Sequence, residues 1–218
     1  MSKKLIWDLP VRCFHWLVAI LICGSYYTVE VTGDMDTHML IGQIVLCLLL
    51  FRIVWGFIGT RYARFNSFVY KPAELSNYLQ SFLSRSGAGY AGHNPLGALA
   101  VFAMLIFIGV QVVTGLFATD GDFYEGPLNH LVSGRIGNQI TEIHEFNFNI
   151  LAFLIIIHVL AVAFYLFYKR ENLITPMITG NKIDESDSLE SIDGSGLGAA
   201  IAGILIVAAG VYAVVNFL

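Results

Sequence analysis

The residues of this 218-residue chain best suited to chemistry are histidines. His144 and His158 lie fourteen residues apart in the stretch His-Glu-Phe-Asn-Phe-Asn-Ile-Leu-Ala-Phe-Leu-Ile-Ile-Ile-His. Fourteen residues is nearly four helical turns, so both rings leave one face of a helix, roughly 21 Å apart along its axis. That distance is most of the way across a bilayer core of roughly 30 Å. An imidazole in hydrocarbon is costly and turns toward a partner inside the protein. Two stacked, inward-facing histidines on one membrane helix point to ligands for two stacked metal centres. For either histidine alone, the alternative is a hydrogen bond to a neighbouring helix.

The elements that must position these rings follow from composition. The chain is 56% hydrophobic and only 13% charged, with a mean hydropathy of +0.70. Its apolar residues come in runs long enough to span a bilayer, which defines an all-α integral membrane protein. The first run, about 12–30, lacks a small-residue cleavage site and carries Arg12 and His15, so it is expected to be a span and not a removed signal. Further spans are expected at about 37–59, 95–118, 140–168 and 196–218. Pro72 opens a stretch in which Leu75, Tyr78, Leu79, Phe82 and Leu83 recur at helical spacing, predicting a short amphipathic helix on the membrane surface. Residues 181–195 read as a solvated acidic linker. The expected organisation is a four-helix transmembrane bundle over 1–175, an acidic linker over 176–195 and a fifth transmembrane helix over 196–218. Cys13, Cys23 and Cys47 form no Cys-x-x-Cys pattern and read as small buried apolar groups.

The basic residues set an orientation. Lys3, Lys4, Arg12, Arg52, Arg61, Arg64, Lys71, Arg85, Lys169, Arg170 and Lys182 fall on one side, and only Arg135 on the other. The positive-inside rule makes the first side, with the N-terminus, cytoplasmic, and puts the C-terminus on the outer side. On this topology His15 and His158 share an inner level, and His38 and His144 an outer one. Each pair can give two axial nitrogens to one iron. Haem b fits: it binds without covalent attachment and accepts two imidazoles. Zinc would want more ligands at one level, and a proton relay would want carboxylates between the histidines. Gly42, one turn after His38, would let a porphyrin lie against the helix, or would serve ordinary helix packing. Arg52 points near the face of His38 at the inner level; with Arg12 it is a candidate for the inner haem's propionates, or else a snorkelling interfacial arginine. His93 precedes the third span as a structural group or as part of a quinone site, and His130 lies in the outer acidic loop.

Several stretches carry a family resemblance: Trp7-Asp-Leu-Pro-Val-Arg-Cys-Phe-His15-Trp16, His38-Met-Leu-Ile-Gly42, Phe51-Arg52-Ile-Val-Trp55-Gly56, Gly92-His-Asn-Pro-Leu-Gly97, Thr114-Gly-Leu-Phe117, and His144-Glu145 through His158. Together they span 7 to about 170, and the chain resembles the prokaryotic cytochrome b561 family, which includes b-type membrane subunits of nickel–iron hydrogenases. The resemblance implies four helices holding two haems b, with His15, His38, His144 and His158 as ligands. The acidic linker and fifth span depart from that pattern.

The expected function is transmembrane electron transfer between the quinone pool and a periplasmic redox partner, such as a c-type cytochrome or an oxidoreductase subunit. A quinone would meet the inner haem near Arg52, Trp55 and His93. Alternatives are an anchor and electron-transfer subunit of a hydrogenase-like dehydrogenase, or a superoxide:quinone oxidoreductase. The outer loops carry Glu30, Asp34, Asp36, Asp120, Asp122 and Glu125, which disfavours an anion and suits a basic partner. No nucleic-acid partner is expected.

Overall fold

A computed structural model describes residues 2–83, 90–184, 189–192 and 196–217. Arg85, counted above among the inner-side basic residues, lies outside the described residues, as do 185–188 and 193–195 of the acidic stretch.

The chain starts in strand β1 (Ser2–Leu5). Helix α1 (Leu9–Tyr27) follows because Asp8 caps it, accepting the Val11 N–H at 2.8 Å, and because Pro10 sits in the first turn, where no intrahelical donor is needed. Its last turn widens into a π-helical stretch, Thr28–Thr32, and Gly33 at φ 66° turns the chain. Asp34 caps α2 (Met35–Ile58) through the Thr37 N–H at 3.0 Å. The short α3 (Pro72–Gln80) starts at the anticipated proline. Asn94 caps α4 (Pro95–Gly115) through the Gly97 N–H at 2.8 Å. Helix α5 (Gly134–Phe164) runs on into a π-helical turn, Tyr165–Lys169. A one-turn α6 (Ile174–Thr179), strand β2 (Asn181–Asp184) and α7 (Leu197–Phe217) complete the chain.

Five of these segments are long and apolar enough to cross a membrane: Leu9–Thr32, Met35–Ile58, Pro95–Gly115, Gly134–Lys169 and Leu197–Phe217. The protein is a multi-pass membrane helix bundle. Helix α2 is central, packed against α1, α4 and α7, while α5 packs against α4. Among the described residues, α5 stands off from α1 and α2. One apolar core (Val18, Leu49, Ile108, Val112, Leu151) joins α1, α2, α4 and α5 at mid-bundle. A second (Ile6, Trp7, Phe51, Trp55, Ala200) closes the end that carries the N-terminus.

The structure departs from the sequence reading in four places. The fourth span starts at Gly134, not near 140, and its run to Lys169 is 36 residues. At 1.5 Å per residue that is roughly 54 Å, so about 20 Å projects beyond the bilayer core. The stretch expected to be a solvated linker is folded onto the N-terminal end. There β2 pairs antiparallel with β1, Asp184 is buried, Ile192 N–H donates to Leu5 O at 2.9 Å, and the Tyr62 hydroxyl donates to Glu190 O at 2.7 Å. Apolar residues spaced among the acids, and an open strand edge at β1, make that docking favourable. Helix α3 ends at Gln80, short of Phe82 and Leu83, and does not lie on the surface alone: Tyr78 hydroxyl meets Tyr165 hydroxyl, and Phe82, in the turn that follows, stacks on Phe164 at 5.2 Å. Leu79 on the helix and Leu83 beyond it remain exposed. Cys13 and Cys23 lie on the outside of the bundle instead of being buried, and Cys47 is half-buried.

Candidate functional site

Four histidines from α1, α2 and α5 meet in two pairs. The His15 and His158 rings have centroids 6.2 Å apart, and so do the His38 and His144 rings. Two imidazoles sharing one metal at a metal–nitrogen length of about 2 Å have centroids roughly 6 Å apart. Both pairs bridge the gap between α5 and the α1–α2 side, where the bundle is not close-packed. The two levels are fourteen residues apart on α5, roughly 21 Å along its axis.

At the level of His38 and His144, the rings are held from behind. His38 Nδ1 lies 3.0 Å from Ser25 Oγ and 3.3 Å from the Ser25 carbonyl. His144 Nδ1 lies 3.0 Å from the Gln111 carbonyl and 3.1 Å from Thr114 Oγ1, while its Nε2 lies 2.9 Å from Gln111 Nε2. Gln111 is itself fixed by the buried Asn147, whose amide donates to Gln111 Oε1 at 2.7 Å. A Cβ on Gly115 would meet His144 Cε1 at 3.1 Å, so the small residue lets α4 approach the ring. A Cβ on Gly42 would find nothing within 4 Å, leaving open space beside that helix face.

The level of His15 and His158 is different. His15 Nδ1, His93 Nδ1 and one guanidinium nitrogen of Arg52 are buried without a hydrogen-bond partner. Arg52 is 3% exposed, with its Cζ 4.9 Å from the Phe65 ring. His93 is wedged between Trp7 and Phe68, with both centroids 4.7 Å away. Although its residue surface is only half-buried, Nδ1 is sealed, and burial pushes this imidazole down to about 3, helped by Arg52, His158 and His15. Three buried polar groups unsatisfied within one neighbourhood call for a polar or anionic partner.

Two residues of the expected set have other partners. Arg12 donates to the Ile178 carbonyl at 2.6 Å and to Asp8 O at 3.3 Å, so it fastens α6 to α1 and does not point at an anion site. Trp55 is 2% exposed and gives its indole N–H to Asp8 Oδ2 at 2.9 Å, so it presents neither surface nor donor to a quinone. Asp8, not singled out in the sequence, is 1% exposed and also accepts from Thr60 Oγ1 at 2.6 Å. It joins α1 to the end of α2 beside Arg52. Ser25 and Asn147 were also missed; only the i, i+3 spacing of Gln111 and Thr114 hinted at a polar face on α4. His130 is exposed on the loop near the opposite end from the N-terminus.

The site defines a class: a membrane helix bundle that brings four histidines together in two pairs, one above the other. The space beside Gly42, the paired rings at metal-sharing distance and the unpaired Arg52 nitrogen all fit haem. The family model for prokaryotic cytochrome b561 matches residues 6–180, and the chain belongs to that family, whose b-type character implies haem b. Similar proteins include probable Ni/Fe-hydrogenase B-type cytochrome subunits. The Rhodobacter capsulatus protein is 24% identical, over 85% of this chain and 83% of that one. The Bradyrhizobium diazoefficiens protein is 23% identical, over 81% and 85%. The Azotobacter vinelandii protein is 27% identical, over 84% and 89%. No solved structure matches the chain.

Proposed function

We propose that this chain holds two haems b and carries electrons across a bacterial inner membrane, between a redox partner at the face opposite the N-terminus and a quinone in the bilayer near the other. The observation that carries this reading is the pair of histidine couples, each with rings 6.2 Å apart. His38 with His144 would hold the outer haem, and His15 with His158 the inner one. The haems supply reversible one-electron chemistry. The residues do the rest. Four imidazoles, His38 with His144 and His15 with His158, would hold the two groups with two nitrogens each, which suits electron transfer and not oxygen or peroxide chemistry. The apolar core around Leu49, Ile108 and Leu151 keeps water out. The Arg52 guanidinium is placed to hold an inner propionate, and His93 to complete the polar lining there. Exclusion of water and fixed ligands reduce the rearrangement that each electron transfer requires.

The basic residues favour a cytoplasmic N-terminus and a periplasmic opposite face. There the partner is best read as the catalytic part of a nickel–iron hydrogenase, because the similar proteins are described as subunits of that enzyme. A basic c-type cytochrome is the second reading, favoured by the acidic loop around Asp120, Asp122 and Glu125. The same charges repel superoxide. The test is purification in mild detergent, with a pyridine haemochrome assay and identification of what copurifies. The expected result is two extractable haems b per chain and a hydrogenase subunit. One haem per chain, or none, refutes the site; a c-type cytochrome in place of the hydrogenase selects the second reading.

A further inference from the structure

We propose that Ser25, Gln111 and Thr114 are ligand-positioning residues for the metal held by His38 and His144, and that they give this outer haem the lower midpoint potential of the two. The inference rests on the two-haem reading above. Proton positions around the outer histidines follow from the partners' chemistry. The Gln111 carbonyl, 3.0 Å from His144 Nδ1, can only accept, so Nδ1 carries the proton. Gln111 Nε2, 2.9 Å from His144 Nε2, is an amide nitrogen that can only donate, so Nε2 carries the lone pair. The Thr114 hydroxyl gives its own proton to Val110 O at 2.6 Å and is left to accept from His144 Nδ1 at 3.1 Å. His38 Nδ1 faces the Ser25 carbonyl at 3.3 Å and its hydroxyl at 3.0 Å, which again puts the proton on Nδ1. Both outer rings are therefore held in the tautomer that offers Nε2 to a metal. The Gln111 amide keeps the His144 lone pair unprotonated until the metal takes it.

The inner His15 ring has no such support: its Nδ1 is buried without a partner. An imidazole that donates Nδ1–H to oxygen is a more basic ligand, and it stabilises the oxidised, more positive iron. This lowers the outer potential. The buried Arg52 charge beside the inner level favours the reduced, less positive iron there. The two effects separate the potentials in the same direction. Residues at the two levels would thus favour electron passage from the outer level to the inner one.

The experiment is a potentiometric titration of the haem-loaded full chain in detergent, followed by absorbance, for the parent and for Ser25→Ala with Thr114→Val. In the double variant the lower of the two components should shift about tenfold toward reduction, about 59 mV upward for a one-electron couple, with the upper component unmoved. Movement of the upper component, or of neither, overturns the proposal. Where the double variant loads no outer haem, Ser25→Ala is compared with Ser25→Thr. Alanine should raise the lower component and threonine, which keeps the hydroxyl, should not; equal behaviour of the two overturns the proposal. A parent with fewer than two haem components refutes the two-haem reading instead, and that is seen before any variant is made.

Discussion

Arg52 offers a test with opposite signs in the haem-free and haem-loaded protein. The residue is 3% exposed, one guanidinium nitrogen has no partner, and its neighbours are the Phe65 ring and the Asp8 carboxylate, which acts on it electrostatically. A hydrogen bond from a charged donor contributes about 1.5–3 kcal/mol, and a buried donor left unmade costs about 1–3 kcal/mol. With an inner propionate bound, Arg52→Gln should therefore weaken haem binding by roughly tenfold to hundredfold, at about 1.4 kcal/mol per decade. Without haem, the same substitution removes an unsatisfied charge and should raise the melting temperature. Arg52→Lys should fall between, because it keeps the charge but not the planar fork. The assay is titration of haem into haem-free protein in a His38→Ala background, where only the inner level can load, alongside thermal melts of the haem-free proteins. Unchanged affinity in Arg52→Gln, or a haem-free protein that is less stable than its parent, would refute the assignment of Arg52 as the anion partner.

The pairing of the rings predicts that His144→Ala and His38→Ala deplete one spectral component while His15→Ala and His158→Ala deplete the other; if His15→Ala and His38→Ala deplete the same one, the vertical pairing is wrong. Asp8→Ala removes a helix cap, about 1 kcal/mol, and strands the Trp55 and Thr60 donors, about 1–3 kcal/mol each, so detergent unfolding should show a loss of roughly 3–7 kcal/mol; a loss under about 1 kcal/mol would show that these bonds are replaced. At the outer loop, Asp122→Asn with Glu125→Gln should slow reaction with a basic cytochrome at low salt and leave both haem spectra unchanged, a difference that should vanish as screening shortens to roughly 8 Å at physiological salt; a rate indifferent to salt argues against steering. Asp120 is left out of that pair because its carboxylate holds the loop, accepting the Tyr124, Phe123 and Asp122 N–H groups at 2.9, 2.9 and 3.0 Å. Those bonds, led by Tyr124, hold its carboxyl below the usual carboxylate range. The stability it lends is therefore fully present above that ordinary range and is lost as pH falls through the lowered value, so amide exchange at Phe123 and Tyr124 should stay slow at neutral pH and quicken in acid. Exchange that does not change on acidification would count against it.

The histidine spacing was legible because fourteen residues is so nearly four turns that sequence distance converts directly into a shared face. The apolar runs and the proline that opens α3 were legible for a similar reason: each signal is local. What sequence could not give is non-local. Ser25 is thirteen residues from His38 and Gln111 thirty-three from His144, so nothing in their neighbourhoods shows that they stand behind those rings. Trp55 looked like a surface aromatic at the inner interface until Asp8, forty-seven residues away, took its N–H. The acidic stretch was judged by its charge, whereas Leu189, Ile192 and an unpaired strand edge decide where it lies. The start of α5 was hidden because Gly134-Arg-Ile-Gly-Asn-Gln is polar, although a helix that projects from the membrane has every reason to be.

The N-terminal end of the bundle has one further consequence for the chemistry. The family match ends at residue 180, but the chain beyond it is packed against the part that carries Arg52. Gly196, at φ 57°, lets the chain pass the Trp55 ring so closely that a Cβ would lie 2.8 Å from it, and Gly203 seats α7 on Phe51. Trp55 in turn covers Asp8, and Asp8 ties α1 to the end of α2 within one turn of Arg52. An arginine at a membrane interface ordinarily reaches out to water. Here the guanidinium is buried against the Phe65 ring, and Ala200 and Leu189 pack with Phe51 and Trp55 in the apolar cluster that closes this end of the bundle. Sealed from solvent, the guanidinium cannot be satisfied by water, and its electrostatic reach is correspondingly long. Segments outside the family match thus pack onto the end of the bundle that carries Arg52, and a buried charge there would bind an acid group and favour a reduced metal at the level of His15 and His158.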